Sequence, residues 1–124
     1  MRRSFSDLNI DITGLKFDLT PTIKEHVEEK ILHLERFYDD KITEARVALE
    51  VDDGHHRHGK VNGCQIILRI PGQKDVFARV WTDDMHKSIN RAAGEAEREL
   101  KKIKQKQAEV NKEEIRRIKE EGLE

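Results

Sequence analysis

The sequence is poor in the features that mark secreted, membrane-spanning or nucleotide-cradling chains. Cysteine occurs once, at Cys64, so the chain cannot close a disulfide on itself, and a reducing compartment suits it. No stretch approaches the ~20 apolar residues that a membrane helix needs. Arg2 and Arg3 near the N-terminus are not followed by an apolar run of signal-peptide length. The chain therefore reads as soluble and cytoplasmic, with no membrane partner. The seven glycines are dispersed at turns, and no glycine-rich phosphate loop is present. Net charge is also missing, because 24 Lys and Arg stand against 25 Asp and Glu. Net charge then steers nothing toward nucleic acid, so any site for a polyanion must be a local patch.

What the chain does have is charge density and period. Of its 124 residues 40% are charged and 35% apolar, enough for one modest core and one domain. Leu8, Ile10 and Ile12 alternate with polar residues as a short strand, which Gly14 is expected to end. Thr20-Pro21 offers a capping hydroxyl followed by proline at the first helical position. Ile23, Val27, Ile31 and Leu34 then mark one side of a helix. Ala45, Val47, Leu49 and Val51 alternate as a second strand, Cys64, Ile66, Leu68 and Ile70 as a third, and Val76, Ala78 and Val80 as a fourth. On the fourth strand Phe77, Arg79 and Trp81 have the opposite phase. Each strand has one apolar face, which suits a single sheet with both helices on the same side. The expected fold is α+β, in the order β-α-β-β-β-α. Its four-stranded mixed sheet has one open face, an arrangement related to that of double-stranded-RNA-binding domains.

The second helix is expected over residues 82–106. Met85, Ile89, Ala92, Ala93, Ala96, Leu100 and Ile103 share its inner side. Thr82, Asp83 or Asp84 can cap its start. The other face is expected to carry Lys87, Arg91, Arg98, Lys101, Lys102, Lys104 and Lys106, against Glu95, Glu97 and Glu99. Two readings fit this run: an anion-binding face, or a solvated helix whose cations suit the negative end of its dipole. Residues 1–106 form the expected folded domain. Residues 107–124 read as a charged C-terminal tail, either a helical extension or disordered.

Little in the sequence assembles chemistry. His55, His56 and His58 sit on one loop, but neighbouring imidazoles point apart and no carboxylate has a matching spacing, so no metal site is assigned. His26, His33 and His86 read as ordinary solvated residues. Cys64 points inward as a small hydrophobe, and Asp83-Asp84 is explained by capping. No nucleophile, base and oxyanion site come together, so neither enzyme activity, a cofactor nor a small-molecule substrate is expected. Cations from three places can converge instead: Lys24 and Lys30, the loop with Arg57 and Lys60, and the run from Lys87 to Lys106. Two further readings are a protein-interaction or self-association surface on the open sheet face, with Ile67, Phe77 and Trp81, and metal binding by the His55–His58 loop.

Several segments, in order along the chain, resemble one family. They are Val27-Glu28-Glu29-Lys30, Leu34-Glu35-Arg36-Phe37-Tyr38-Asp39, Val47-Ala48-Leu49-Glu50-Val51, His56-Arg57-His58, Ile70-Pro71-Gly72 and Val76-Phe77-Ala78. Asp84-Met85, Ile89 and Glu97-Arg98-Glu99-Leu100-Lys101-Lys102 with Lys104 complete the set. Over about residues 8–106 the chain is similar to the ribosome hibernation-promoting factors, also called ribosome-associated inhibitors. The resemblance implies the same fold and binding in the decoding channel of the small ribosomal subunit, on ribosomal RNA, which silences and protects idle ribosomes. It carries Lys24, Lys30, Arg36, Arg98, Lys102 and Lys104 as RNA-binding positions, with His58 and Lys60 in the loop. Glu95 departs from the lysine often found there, and His86 from tyrosine. The resemblance fits a short form of the family or the N-terminal domain of a long form. This sequence does not include the separate C-terminal domain by which long forms pair ribosomes, so pairing by that route is not expected of it.

Overall fold

The computed structural model describes residues 8–52 and 61–122. The elements are β1 (Asn9–Leu15), α1 (Pro21–Phe37), β2 (Glu44–Val51), β3 (Asn62–Arg69), β4 (Val76–Thr82) and α2 (Met85–Gly122). The sheet order is β1-β2-β3-β4, with β1 parallel to β2 and the other neighbours antiparallel. This is the mixed four-stranded sheet that the alternation predicts.

Register explains the core. Ile12, Val47, Ile66 and Ala78 form one row across the sheet, and Ile10, Ala45, Leu68 and Val76 form another. Side chains alternate across a strand, so these rows share one face. Both helices cover that face. Ile23, Val27, Ile31 and Leu34 come down from α1, and Ile89, Ala92, Ala93, Ala96 and Leu100 from α2. Fully burying a Leu or Ile side chain contributes roughly 1.5–3 kcal/mol, so these stripes hold each helix at one rotation about its axis.

The helix starts are built as the sequence predicts. Thr20 Oγ1 accepts from the Ile23 amide at 3.2 Å, with Pro21 at the first helical position. Asp84 Oδ2 accepts from the Lys87 amide at 3.0 Å. Ser88 Oγ donates to the Asn62 carbonyl at 2.6 Å and lies 2.6 Å from Thr82 Oγ1, fastening the start of α2 to β3.

One expectation is revised. β1 does not end at Gly14; it runs on to Leu15, with Gly14 opposite Leu49. The chain turns back so tightly that a Cβ on Gly14 would collide with the Phe17 carbonyl oxygen, so glycine lets the strand continue and reverse. α2 continues unbroken past residue 106 to Gly122 as a helix of 38 residues. No proline interrupts it, and Glu, Lys, Arg and Gln, which dominate its distal part, are good helix formers.

Trp81 takes the open face, as its phase implies, but it is half-buried. It lies across Gly63, where an added Cβ would come within 2.9 Å of its ring, and the Arg79 guanidinium stands 5.5 Å from the ring centroid. Phe77, 56% exposed, faces Ile67 near the other end of β4. Arg79 separates the two aromatics, so they do not merge into one apolar patch. Trp81→Ala should cost clearly less than the ~3–5 kcal/mol of a fully buried aromatic, and iodide should partly quench the native emission. Blue emission that resists iodide, with a loss in that range, would put Trp81 in the core.

Cys64 is 1% exposed, and burial pushes its thiol from the ordinary 9.0 up to about 12. A raised folded value means that this group's contribution is fully present below the unfolded thiol's pKa. It is lost as pH climbs from about 9 toward 12. At pH 8 an aromatic disulfide reagent should label Cys64 only after unfolding; rapid labelling of the native protein would contradict the burial.

Candidate nucleic-acid interface

The two helices run side by side in the same direction, and a seam of polar contacts fixes this. The His26 Nε2–H donates to Asn90 Oδ1 at 2.9 Å, and the His33 Nε2–H donates to a Glu97 carboxylate oxygen at 3.2 Å. Further along, Lys104 Nζ donates to the Phe37 carbonyl at 2.9 Å. The His26 and His86 rings meet edge to face at 4.9 Å between centroids. These histidines read individually as solvated residues; paired across the seam, they link α1 to α2. The pairing joins residues 64 apart in the chain, so no local spacing announces it.

With the core side of α2 inward and its flank against α1, a definite set of residues faces away. Lys87, Arg91, Arg98 and Lys101 are all exposed, and successive members are three, four or seven residues apart, a spacing that keeps them on one side. Arg91, Arg98 and Lys101 make no ion pair or hydrogen bond through their side chains among the described residues. Lys87 Nζ pairs with Asp83 at 3.0 Å, and this hydrogen bond holds the Asp83 carboxyl below its ordinary pKa. Lys102 pairs with Glu99 at 3.3 Å. Both are exposed pairs of the kind that contribute little and yield readily to another anion.

The remaining candidate positions scatter. Arg36 is exposed on α1 and Lys30 is half-buried. Lys30 lines the furrow between the helices with Glu29, His33, Asn90 and Glu97. Lys24 is exposed, but α1 turns it away from that furrow. Lys106 lies on the β4 side of α2, in a groove of about 770 Å³ that includes Phe77, Ile103 and Val110. His58 and Lys60, with the rest of the His55–His58 loop, lie outside the described residues.

Lys104 differs in kind. Besides its bond to Phe37, its Nζ lies 3.7 Å from Asp39 and 4.9 Å from the centre of the Phe37 ring. It binds the end of α1, where Asp39 and Asp40 take left-handed backbone with φ of 58° and 57°. Its ammonium is therefore occupied, and it stands apart from the outward stripe. Lys104→Met keeps the aliphatic stem and removes the charge. It should cost about 1 kcal/mol, less than the roughly 1.5–3 kcal/mol of a hydrogen bond to a charged group, since the side chain is 39% exposed. Urea unfolding measures this, and a loss within error of zero would mean the contact does not stabilise the chain.

Comparison with known proteins places the chain. A family model described as sigma 54 modulation protein / S30EA ribosomal protein matches residues 10–108. The chain is 36% identical over 93 residues to a ribosome hibernation promotion factor from Deinococcus radiodurans, covering 75% of this chain and 47% of that protein. The chain thus spans about half the length of that relative. It is 31% identical over 102 residues to a ribosome hibernation promoting factor from Azotobacter vinelandii, covering 82% and 88%. Among solved structures, a ribosomal subunit interface protein from Coxiella burnetii superposes with a TM-score of 0.64 at 25% identity, covering 77% of this chain and 96% of that one.

Proposed function

The chain belongs to the sigma 54 modulation protein / S30EA ribosomal protein family, and from that membership we propose that it is a ribosome hibernation factor that binds the small subunit through the outward side of α2. The observation that carries this reading is the set of unpaired, exposed cations Arg91, Arg98 and Lys101 on one side of a helix whose opposite side is locked in the core. In a chain of net charge −1, attraction to RNA has to come from the placement of cations rather than their number. Each cation that meets a phosphate releases condensed counterions, so binding weakens steeply with salt. Arg36 and Lys30 on α1 extend the surface, while Lys87 and Lys102 join it by exchanging Asp83 and Glu99 for phosphate. Held on ribosomal RNA in the decoding channel, the domain blocks the path of messenger and transfer RNA and keeps an idle ribosome silent and protected. Such a task needs a shaped basic body and no catalytic group, and its place is the cytoplasm.

A second reading draws on the exposed Phe77 and the groove beside it, which suit a protein partner or a second copy. That contact would be largely insensitive to salt. Sedimentation with purified small subunits over a range of salt separates the two. Arg91→Glu, Arg98→Glu and Lys101→Glu together should abolish co-sedimentation and leave circular dichroism and thermal unfolding near wild type. Undiminished binding by this triple variant would sink the proposal.

A further inference from the structure

The family match ends at residue 108, but α2 continues to Gly122, and every residue from Gln105 to Gly122 is exposed. Asn111 is the last residue of α2 to line the groove against the β3–β4 turn. Beyond it the helix projects from the domain. At ~1.5 Å per residue, the whole of α2 is about 57 Å long.

Three of the four cations on this projecting stretch line up. Lys112, Arg116 and Lys119 follow one another at steps of four and three, so they share a side. That side is the continuation of the outward stripe. Arg116 lies eighteen residues after Arg98, and Lys119 eighteen after Lys101. Eighteen residues are about five complete turns at 3.6 per turn, which brings each pair back into line. Glu114 and Glu121 follow Ile103 by eleven and eighteen residues and so continue the inner side instead. Ile115 and Ile118, both exposed, lie toward the side that α1 covers lower down. Three acids border the row: Glu109 three residues before Lys112, Glu113 three before Arg116 and Glu120 four after it, while Arg117 stands beside Glu114 and Glu121.

Two general explanations for cations on a surface helix do not account for this alignment with Arg98 and Lys101. The helix dipole favours cations only in the last turn, where Lys119 alone stands. Ion pairing within the helix does not account for it either, since Lys112, Arg116 and Lys119 make no ion pair among the described residues. The cationic side also lacks the aromatic or large apolar anchors that dominate protein–protein contacts. It offers a row of exposed cations, edged by Glu109, Glu113 and Glu120, at a spacing that a nucleic-acid backbone can meet.

We propose that the projecting end of α2 is a second RNA-backbone arm, in which Lys112, Arg116 and Lys119 take phosphates beyond those met by Arg91, Arg98 and Lys101. This rests on the reading of the α2 face as an RNA surface. Together the two sets make one cationic edge from Lys87 to Lys119, roughly 48 Å long at 1.5 Å per residue. The helix that carries the arm is anchored in the core by Leu100 and braced by Lys104, which sets the direction in which the arm leaves the domain.

The test uses the full chain and purified small subunits, with affinity measured at several salt concentrations. The arm variant carries Lys112→Glu, Arg116→Glu and Lys119→Glu; a milder version carries Gln at the same three positions, which keeps helix propensity. A control carries Glu114→Gln and Glu121→Gln on the opposite side. The body variant is the Arg91, Arg98, Lys101 triple above. Each lost phosphate contact lowers the slope of log affinity against log salt by about one. The Gln arm variant should therefore lose roughly three units of slope with helicity unchanged, the Glu arm variant should bind more weakly still, and the control should match wild type. An arm variant of wild-type affinity and slope, beside a body variant that fails to bind, would overturn the arm and leave the α2 reading standing. A body variant that binds normally would remove the premise as well. Weaker binding by the arm variant at an unchanged slope would put the arm against a ribosomal protein and overturn the proposal too.

Discussion

Burial of one side of α2 against the sheet decides where its other side points. Ala92 and Ala96 are fully buried and Ala93 nearly so, and their small side chains let the helix lie close to β3 and β4. Leu100 closes the same stripe lower down. Rotating α2 by half a turn would expose this stripe and bury Arg91 and Arg98, charges that need a partner when water is removed. The apolar stripe therefore does two things at once: it completes the core and aims the cations outward. In a chain with almost no net charge, that aim is the whole source of attraction for a polyanion.

The cations of α2 then divide by what they already touch. Lys104 is held by the Phe37 carbonyl, the Phe37 ring and Asp39, at the point where α1 ends and the backbone turns through two left-handed residues. Lys87 and Lys102 have carboxylate neighbours in water, where such pairs are weak. Arg91, Arg98 and Lys101 keep their charge uncommitted. Two lysines three residues apart, Lys101 and Lys104, thus differ because one faces solvent and the other faces the neighbouring helix.

The same geometry makes the length of α2 consequential. A helix anchored at one end and exposed at the other carries its angular order outward without further packing. Five turns separate Arg98 from Arg116, and they still point the same way. The projecting part needs no core of its own to present a surface. It needs only to stay helical, which its Glu, Lys, Arg and Gln content and its freedom from proline favour.

The sequence by itself determined the elements and their faces. Period-two alternation in the strands and the 3.6 period of Ile23, Val27, Ile31 and Leu34 reflect burial against a single layer, so fold, order and inner side chains were legible in them. The outward side of α2 was legible in part for the same reason, since Lys87, Arg91, Arg98 and Lys101 lie on the face assigned to them whereas Lys104 turns to α1 and Lys106 to the β4 side, and Trp81 was assigned to the open face by phase alone. The angular continuation past residue 106 was also present in the spacing, but a solvated segment leaves no hydrophobic period, so whether it is helical could not be read. Tertiary structure alone decided the rest. The extent of β1 depends on a backbone contact between Gly14 and Phe17. The pairing of His26 with Asn90, of His33 with Glu97 and of Lys104 with Phe37 depends on two helices lying parallel, which joins residues more than sixty apart. Local periodicity records which side of an element is dry. It does not record which neighbour stands on its flank, and for a lysine or a histidine that neighbour decides whether the side chain holds the fold or faces a ligand.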